Sequence, residues 1–188
     1  MQVQALEGAF ANAPIENAVA FRAAMNALAR PGQIEKISGA KPPAPLSVAA
    51  GSLILMLCDS ETPVSLSGPF ETAVIRDWII FHTGAQIVTP DKAVFAIGTW
   101  QSLAPLSQFA IGTAQYPDRS ATLIVECDEL KPQGATLTGP GIKDAAQLSL
   151  PETQSFQDNA KLFPLGLDFF FTTGTQVAAL PRTTKVDH

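Results

Sequence analysis

The chain is poor in charge, in histidine and in cysteine, and each shortage excludes something. Asp, Glu, Lys and Arg make up 15% of its 188 residues, against about 25% in a typical globular domain. Because 46% is hydrophobic, the low hydrophobicity and high net charge of a disordered chain are missing. Scarce charge also fits a surface partly covered by partners, because interface cores are depleted in Lys, Glu and Asp. The 12 Lys and Arg stand singly, and the net charge is -5. A nucleic-acid binder needs a clustered basic footprint, so that class is set aside.

The histidines are His82 and His188, with no HExxH spacing, so no metal centre is expected. Cys58 and Cys127 belong to no CxxC pair. They read as thiols at the edge of a core, and a bridge between them is the one disulfide the sequence allows. No long apolar run occurs. The strongest, Leu46 to Cys58, falls short of the ~20 residues of a membrane span. The opening MQVQALEGAF lacks a basic leader and an apolar core, so no signal peptide is expected and the cytoplasm is the expected compartment. There is no Walker loop and no GxSxG elbow. Gly139-Pro140-Gly141-Ile142-Lys143-Asp144 lacks the third glycine of a dinucleotide fingerprint. It reads first as a tight turn between strands and second as an anion-contact loop with Lys143 nearby.

What is present is a chain of alternating helix and strand signals. Asn17 is placed to cap a helix on which Ala18, Phe21, Met25 and Leu28 form an apolar stripe, ended by Pro31-Gly32. Gln33–Ile37 reads as a strand, and the KPPAP segment as a stiff connector. Val48–Leu57 is uniformly apolar, and its Ala, Leu and Met content favours helix. Val64–Leu66 reads as a strand. Gly68-Pro69 is placed to open a helix carrying Ile75, Trp78, Ile79 and His82 on one face and stopping at Thr83-Gly84. Strands follow at Ala93–Gly98 and Ser120–Val125, with a short helix over Leu103–Ala110 between them. Further strands are expected at Ala135–Thr138 and Ala146–Leu150, a helix over Thr153–Leu162, and a closing hairpin from Leu167–Phe171 and Val177–Leu180. The tail 183–188 is expected to fray. The intermixing predicts one layered α/β domain over residues 1–188 with a mixed sheet, since a closing hairpin makes a purely parallel sheet unsuitable.

Six residues are candidates for chemistry or contact. Asp168 precedes Phe169-Phe170-Phe171, where an acid must be solvated or paired. Arg182 or Arg119 is its expected partner, and a structural ion pair is favoured over catalysis. Arg30, Arg119 and Arg182 stand at element ends, where a guanidinium fork suits carboxylate or phosphate. Ordinary ion pairing is the simpler role for each. His82 closes a helix and reads first as a packing residue. Lys143 is the cation of the glycine loop.

At these residues the sequence resembles the H subunit of the bacterial carbon–phosphorus lyase machinery, which degrades phosphonates. The fragments are Phe21-Arg22-x-x-Met25 with Ala29-Arg30-Pro31-Gly32, Asp59-x-Glu61-Thr62-Pro63-Val64, and Phe81-His82-Thr83-Gly84. They continue with Pro117-x-Arg119-Ser120-Ala121-Thr122-Leu123, Leu137-Thr138-Gly139-Pro140-Gly141-Ile142, Phe163-Pro164-Leu165-Gly166-Leu167-Asp168, and Leu180-Pro181-Arg182-Thr183-Thr184. The resemblance implies a mixed α/β fold similar to the core of pyridoxal-phosphate-dependent transferases, without that cofactor, so Lys143 is not a Schiff-base lysine. It implies a homodimer that joins G, I and J subunits in a core complex. That complex attaches phosphonate to the ribose of ATP and displaces adenine, giving a ribose 1-phosphonate 5-triphosphate. In the family, the nucleosidase-like step is assigned to the I subunit and the iron–sulfur radical step to the J subunit. Arg30, Arg119 and Arg182 then become candidate contacts for triphosphate or phosphonate, or for acidic groups within the subunit. Two other readings compete: an enzyme with a cryptic transferase site, and a free-standing nucleotide- or phosphonate-binding module.

Overall fold

In a computed structural model, residues 6–187 are described. Residues 1–5, within the stretch read above for a signal peptide, and His188 lie outside the described residues. Helix α1 (Ala13–Ala29) is built on alanine, with Pro14 in its first turn. It starts earlier than expected. Asn12 holds the cap position, and its backbone N–H donates to Glu16 Oε2 at 3.0 Å, while Asn17 lies inside the helix. The larger correction concerns its buried face. Ala20, Ala24 and Ala27 are no more than 2% exposed, while Phe21 and Met25 are 49% and 47% exposed. The expected Phe21–Met25 stripe faces outward because small residues let α1 approach its neighbours closely. The facing helix α2 (Val48–Leu57) answers with buried Ala49, Ala50, Gly51 and Ser52. Ser47 caps α2 by accepting the Ala50 N–H at 3.0 Å.

Between these helices, the strand expected over Gln33–Ile37 shrinks to β1 (Glu35–Lys36) at a sheet edge. After α2, the Asp59–Pro63 turn closes on itself: Thr62 Oγ1 accepts the Asp59 N–H at 2.5 Å, and Asp59 Oδ1 accepts the Glu61 N–H at 2.8 Å. Strand β2 (Val64–Leu66) follows. Gly68-Pro69 forms a separate 3-10 turn, Gly68–Phe70, rather than a helix start. Helix α3 (Ala73–Thr83) is capped instead by Thr72, whose Oγ1 accepts the Ile75 N–H at 3.2 Å, and it ends at Gly84 with φ +75. Strand β3 (Phe95–Thr99) leads into α4 (Trp100–Leu103). The helix expected over Leu103–Ala110 does not form: α4 ends at Leu103, Pro105 supplies no N–H to continue it, and a single 3-10 turn, Leu106–Gln108, follows.

Strands β4 (Thr122–Glu126), β5 (Ala135–Thr138) and β6 (Ala146–Leu148), helix α5 (Gln154–Ala160), and strands β7 (Asp168–Thr173) and β8 (Gln176–Leu180) complete the expected set. The tail is corrected. Lys185–Asp187 forms β9, pairing with β5 and burying Val186. A polar tail with one apolar residue in three is enough to finish a sheet when that residue meets a core.

Among the described residues, six strands form a sheet in the order β1-β8-β7-β4-β3-β2 and three form a second in the order β6-β5-β9. The β7, β4, β3 and β2 neighbours are parallel, while β1 and β8 join antiparallel. This is one α/β domain with a mixed sheet. Side chains alternate across it. Ile97, Ile124, Phe170 and Ala179 face α1, α2 and α3. Leu123, Val125, Phe169, Phe171 and Leu180 face α4, α5 and the small sheet. Both faces are covered, which is why these strands read as continuous apolar runs. Each fully buried Phe of β7 contributes about 1.5–3 kcal/mol. Among the described residues no helix is long and apolar enough to cross a membrane.

Candidate functional site

Asp168 begins β7 and Arg182 follows β8, so the antiparallel hairpin returns one to the other. Arg182 donates its backbone N–H to Asp168 Oδ1 at 2.8 Å and its Nε–H to both carboxylate oxygens at 3.2 Å. Its Nη2 also donates to Asp168 and to the Ser120 hydroxyl. Nη1 donates to the Pro117 carbonyl at 2.8 Å. The Arg182 side chain is 13% exposed and that of Asp168 26%. A partly buried, forked ion pair of this kind fixes geometry. Arg182 donates to atoms from two separate stretches of chain, 117–120 and 164–168, leaving it engaged within the fold.

The other candidates do not gather around it. Arg119 is exposed and lies 4.1 Å over the Tyr116 ring. Arg30 is exposed at the C-cap of α1. Lys143 is exposed in the loop between β5 and β6. That loop does touch the end of α1. A Cβ on Gly141, whose φ is +83, would lie 1.9 Å from the Ala29 carbonyl oxygen. Arg30 and Lys143 therefore flank one junction, where the Gly139–Ile142 and Ala29–Gly32 fragments interlock. His82 sits in the last turn of α3, edge-on to Trp78 and Phe81. One of its ring nitrogens, Nε2, lies 3.2 Å from the Glu7 carbonyl, which also accepts the Trp78 Nε1–H at 2.9 Å.

A further acid was invisible in the sequence as a site residue. Glu126 ends β4 at the carboxyl edge of the parallel strands, where α/β sheets tend to hold ligands. Its Oε1 accepts the Ser47 N–H at 2.6 Å and its Oε2 accepts the Thr172 hydroxyl at 3.0 Å. Burial pushes its pKa up, and the Ser47 and Thr172 hydrogen bonds pull it partly back. The only local signal was an acid directly after Leu123-Ile124-Val125. Cys127 follows it, its thiol pushed up to about 12 by burial and by the Glu126 and Asp128 carboxylates, so it is a poor nucleophile. Cys58 is likewise raised to about 12, by burial and Asp59, and both cysteines are free.

Trp100 and Glu152 stand beside this edge, joined by an indole N–H donated to Glu152 Oε1 at 3.0 Å. Ser155 donates its hydroxyl to the same oxygen at 2.7 Å. Trp100 borders two depressions. One, of about 380 Å³, includes Glu126, Asp128 and Glu129. The other, of about 430 Å³, is mainly apolar and runs between α4 with its following 3-10 turn and α5. Among the described residues no group of three or more His, Cys, Asp or Glu side chains is placed to hold a metal ion.

The family described as "Bacterial phosphonate metabolism protein (PhnH)" matches residues 8–187. A Rhizobium meliloti (strain 1021) protein named alpha-D-ribose 1-methylphosphonate 5-triphosphate synthase subunit PhnH is 42% identical over 195 residues, covering 99% of this chain and 98% of its own. A Stutzerimonas stutzeri protein named putative C-P lyase subunit protein HtxG is 26% identical over 177 residues, covering 89% and 84%.

Proposed function

Since the chain belongs to the PhnH family of bacterial phosphonate metabolism proteins, we propose that it is a subunit of the carbon–phosphorus lyase core complex. In that role it supports transfer of alkylphosphonate to the ribose of ATP with adenine release. The observation that carries this is the near end-to-end match to a relative named as a subunit of that synthase. The fold is consistent with it. Ile15, Val19, Phe21 and Met25 of α1 are each 47–63% exposed, and apolar groups gathered on one helix are suited to a partner. We assign that face to the homodimer, with G, I and J subunits joining elsewhere on the surface.

In this reading the subunit works in the cytoplasm and carries no cofactor. Lys143, exposed in its loop, is not assigned a Schiff base. The fold likeness to pyridoxal-phosphate-dependent transferases belongs to the same proposal and is tested by superposition. Arg30, Arg119 and Lys143, exposed around the molecule, are the available contacts for triphosphate, phosphonate or acidic partner groups. Arg182 and Asp168 hold the fold, and His82 packs at the end of α3.

The test is to purify the chain alone and together with the G, I and J subunits, then follow adenine release from ATP plus an alkylphosphonate. Activity is expected only when the subunits are combined. Adenine release by the isolated chain would make it a transferase in its own right. Tight nucleotide or phosphonate binding without assembly would make it a free-standing binding module.

A further inference from the structure

We infer that the apolar groove between α4 with its following 3-10 turn and α5 seats an apolar side chain of an unlike subunit, with lysine or arginine flanking it. The inference rests on the subunit reading above and names the surface and the chemistry of the segment it receives.

The groove encloses about 430 Å³, and its apolar wall comes from Trp100, Pro105, Leu106, Ile111 and Leu162. That volume lies in the range of sites that take a small compact group. Leu162 is 43% exposed on its rim, and the next residue, Phe163, is 60% exposed. A free monomer gains nothing by presenting a large ring and a branched chain beside an open apolar groove. The Trp100 indole is held by its bond to Glu152, so the floor of the groove is fixed before any partner arrives.

Charge selects among the possible occupants. Glu152 and Asp158 line this groove, and the adjoining depression, which shares Trp100, adds Glu126, Asp128 and Glu129. Lys161 pairs with Asp158 at 2.8 Å and Lys131 with Glu129 at 2.7 Å. Glu126, Asp128 and Glu152 have no ion-pair partner among the described residues. A nucleoside triphosphate would be repelled from such an edge. So would the same edge of a second copy, in a chain of net charge -5. A basic segment of another protein is attracted, and its approach is accelerated by the same field.

The test compares assembly with the G, I and J subunits for wild type, Phe163→Ala, Leu106→Glu and the double charge reversal Asp128→Lys/Glu129→Lys. Asp91→Lys, at an exposed position ahead of β3, serves as a control outside both the groove and the α1 face. Circular dichroism and thermal melting report folding. Phe163→Ala, at an exposed position, carries the test should Leu106→Glu unfold. Each folded groove variant is expected to bind the unlike subunits about tenfold more weakly. The charge reversal should also reduce the salt dependence of association, while Asp91→Lys keeps wild-type affinity for them. Wild-type assembly with unchanged affinity in the groove variants overturns the inference and leaves the subunit reading standing. Failure of the wild-type chain to assemble overturns both.

Discussion

Removing the guanidinium of Arg182 strands the Asp168 carboxylate, the Ser120 hydroxyl and the Pro117 carbonyl together. Breaking one side of a paired, partly buried charge costs several kcal/mol because the other side stays behind. Arg182→Ala is expected to lower the free energy of unfolding by about 3 kcal/mol, measured by urea titration. Arg182→Lys keeps the charge and loses the fork, so it should fall between the two. Glu126 gives a prediction in pH. Its folded pKa lies above the unfolded value, chiefly through burial, so the folded state holds a proton that the unfolded state has released. Stability therefore falls as pH rises from the ordinary glutamate range through the raised value. Glu126→Gln should remove that loss. Urea midpoints taken across the mildly acidic range should converge for the two proteins at the acid end and separate in the variant's favour above it.

The junction of α1 with the β5–β6 loop makes a contrast between two glycines. At Gly141 a methyl group would collide with the Ala29 carbonyl, whereas at Gly174 in the β7–β8 turn, φ +53, nothing lies within 4 Å. Gly174→Ala should cost about 1 kcal/mol, the left-handed penalty alone. Gly141→Ala should cost at least about 2–3 kcal/mol, with part of it a displaced helix end; chemical denaturation of both variants separates the two effects. Elements of this scale were legible where one force decided them. The uniformly apolar Val48–Leu57 is helix, and the Leu123–Val125 and Phe169–Phe171 runs lie in strands buried on both faces. Alanine misled the reading of α1. A periodicity count weights Phe21 and Met25 heavily, yet close packing on α2 and β8 favours the smallest side chains. Arg182 and Asp168 were legible as possible partners because a charge beside three phenylalanines requires one. Glu126 with Ser47, 79 positions apart, and Trp100 with Glu152, 52 apart, were not, since only the fold brings those residues together.

For the molecule as a whole, the outward apolar face of α1 is the part that a single chain does not use. Met25→Glu should leave the melting temperature within about a degree or two, since surface substitutions usually change stability by no more than ~0.5 kcal/mol. The same variant should move the protein toward monomer in sedimentation velocity, because a buried, unpaired carboxylate at an interface is strongly unfavourable. A wild-type monomer would remove α1 as the dimer face.

The sheet order has a further consequence for how the molecule is made. Strand β1 pairs with β8, with Glu35 opposite Val177 and Lys36 opposite Gln176. The buried alanines of α1 pack in the same core as Val177 and Ala179. During synthesis α1 meets α2 early, but the first strand waits for about 140 further residues before its sheet neighbour leaves the ribosome, roughly 7–30 s at ordinary elongation rates. A nascent chain stopped anywhere before Gln176 has an amino-terminal segment with no sheet edge to join. The hairpin made last is the one that admits the segment made first.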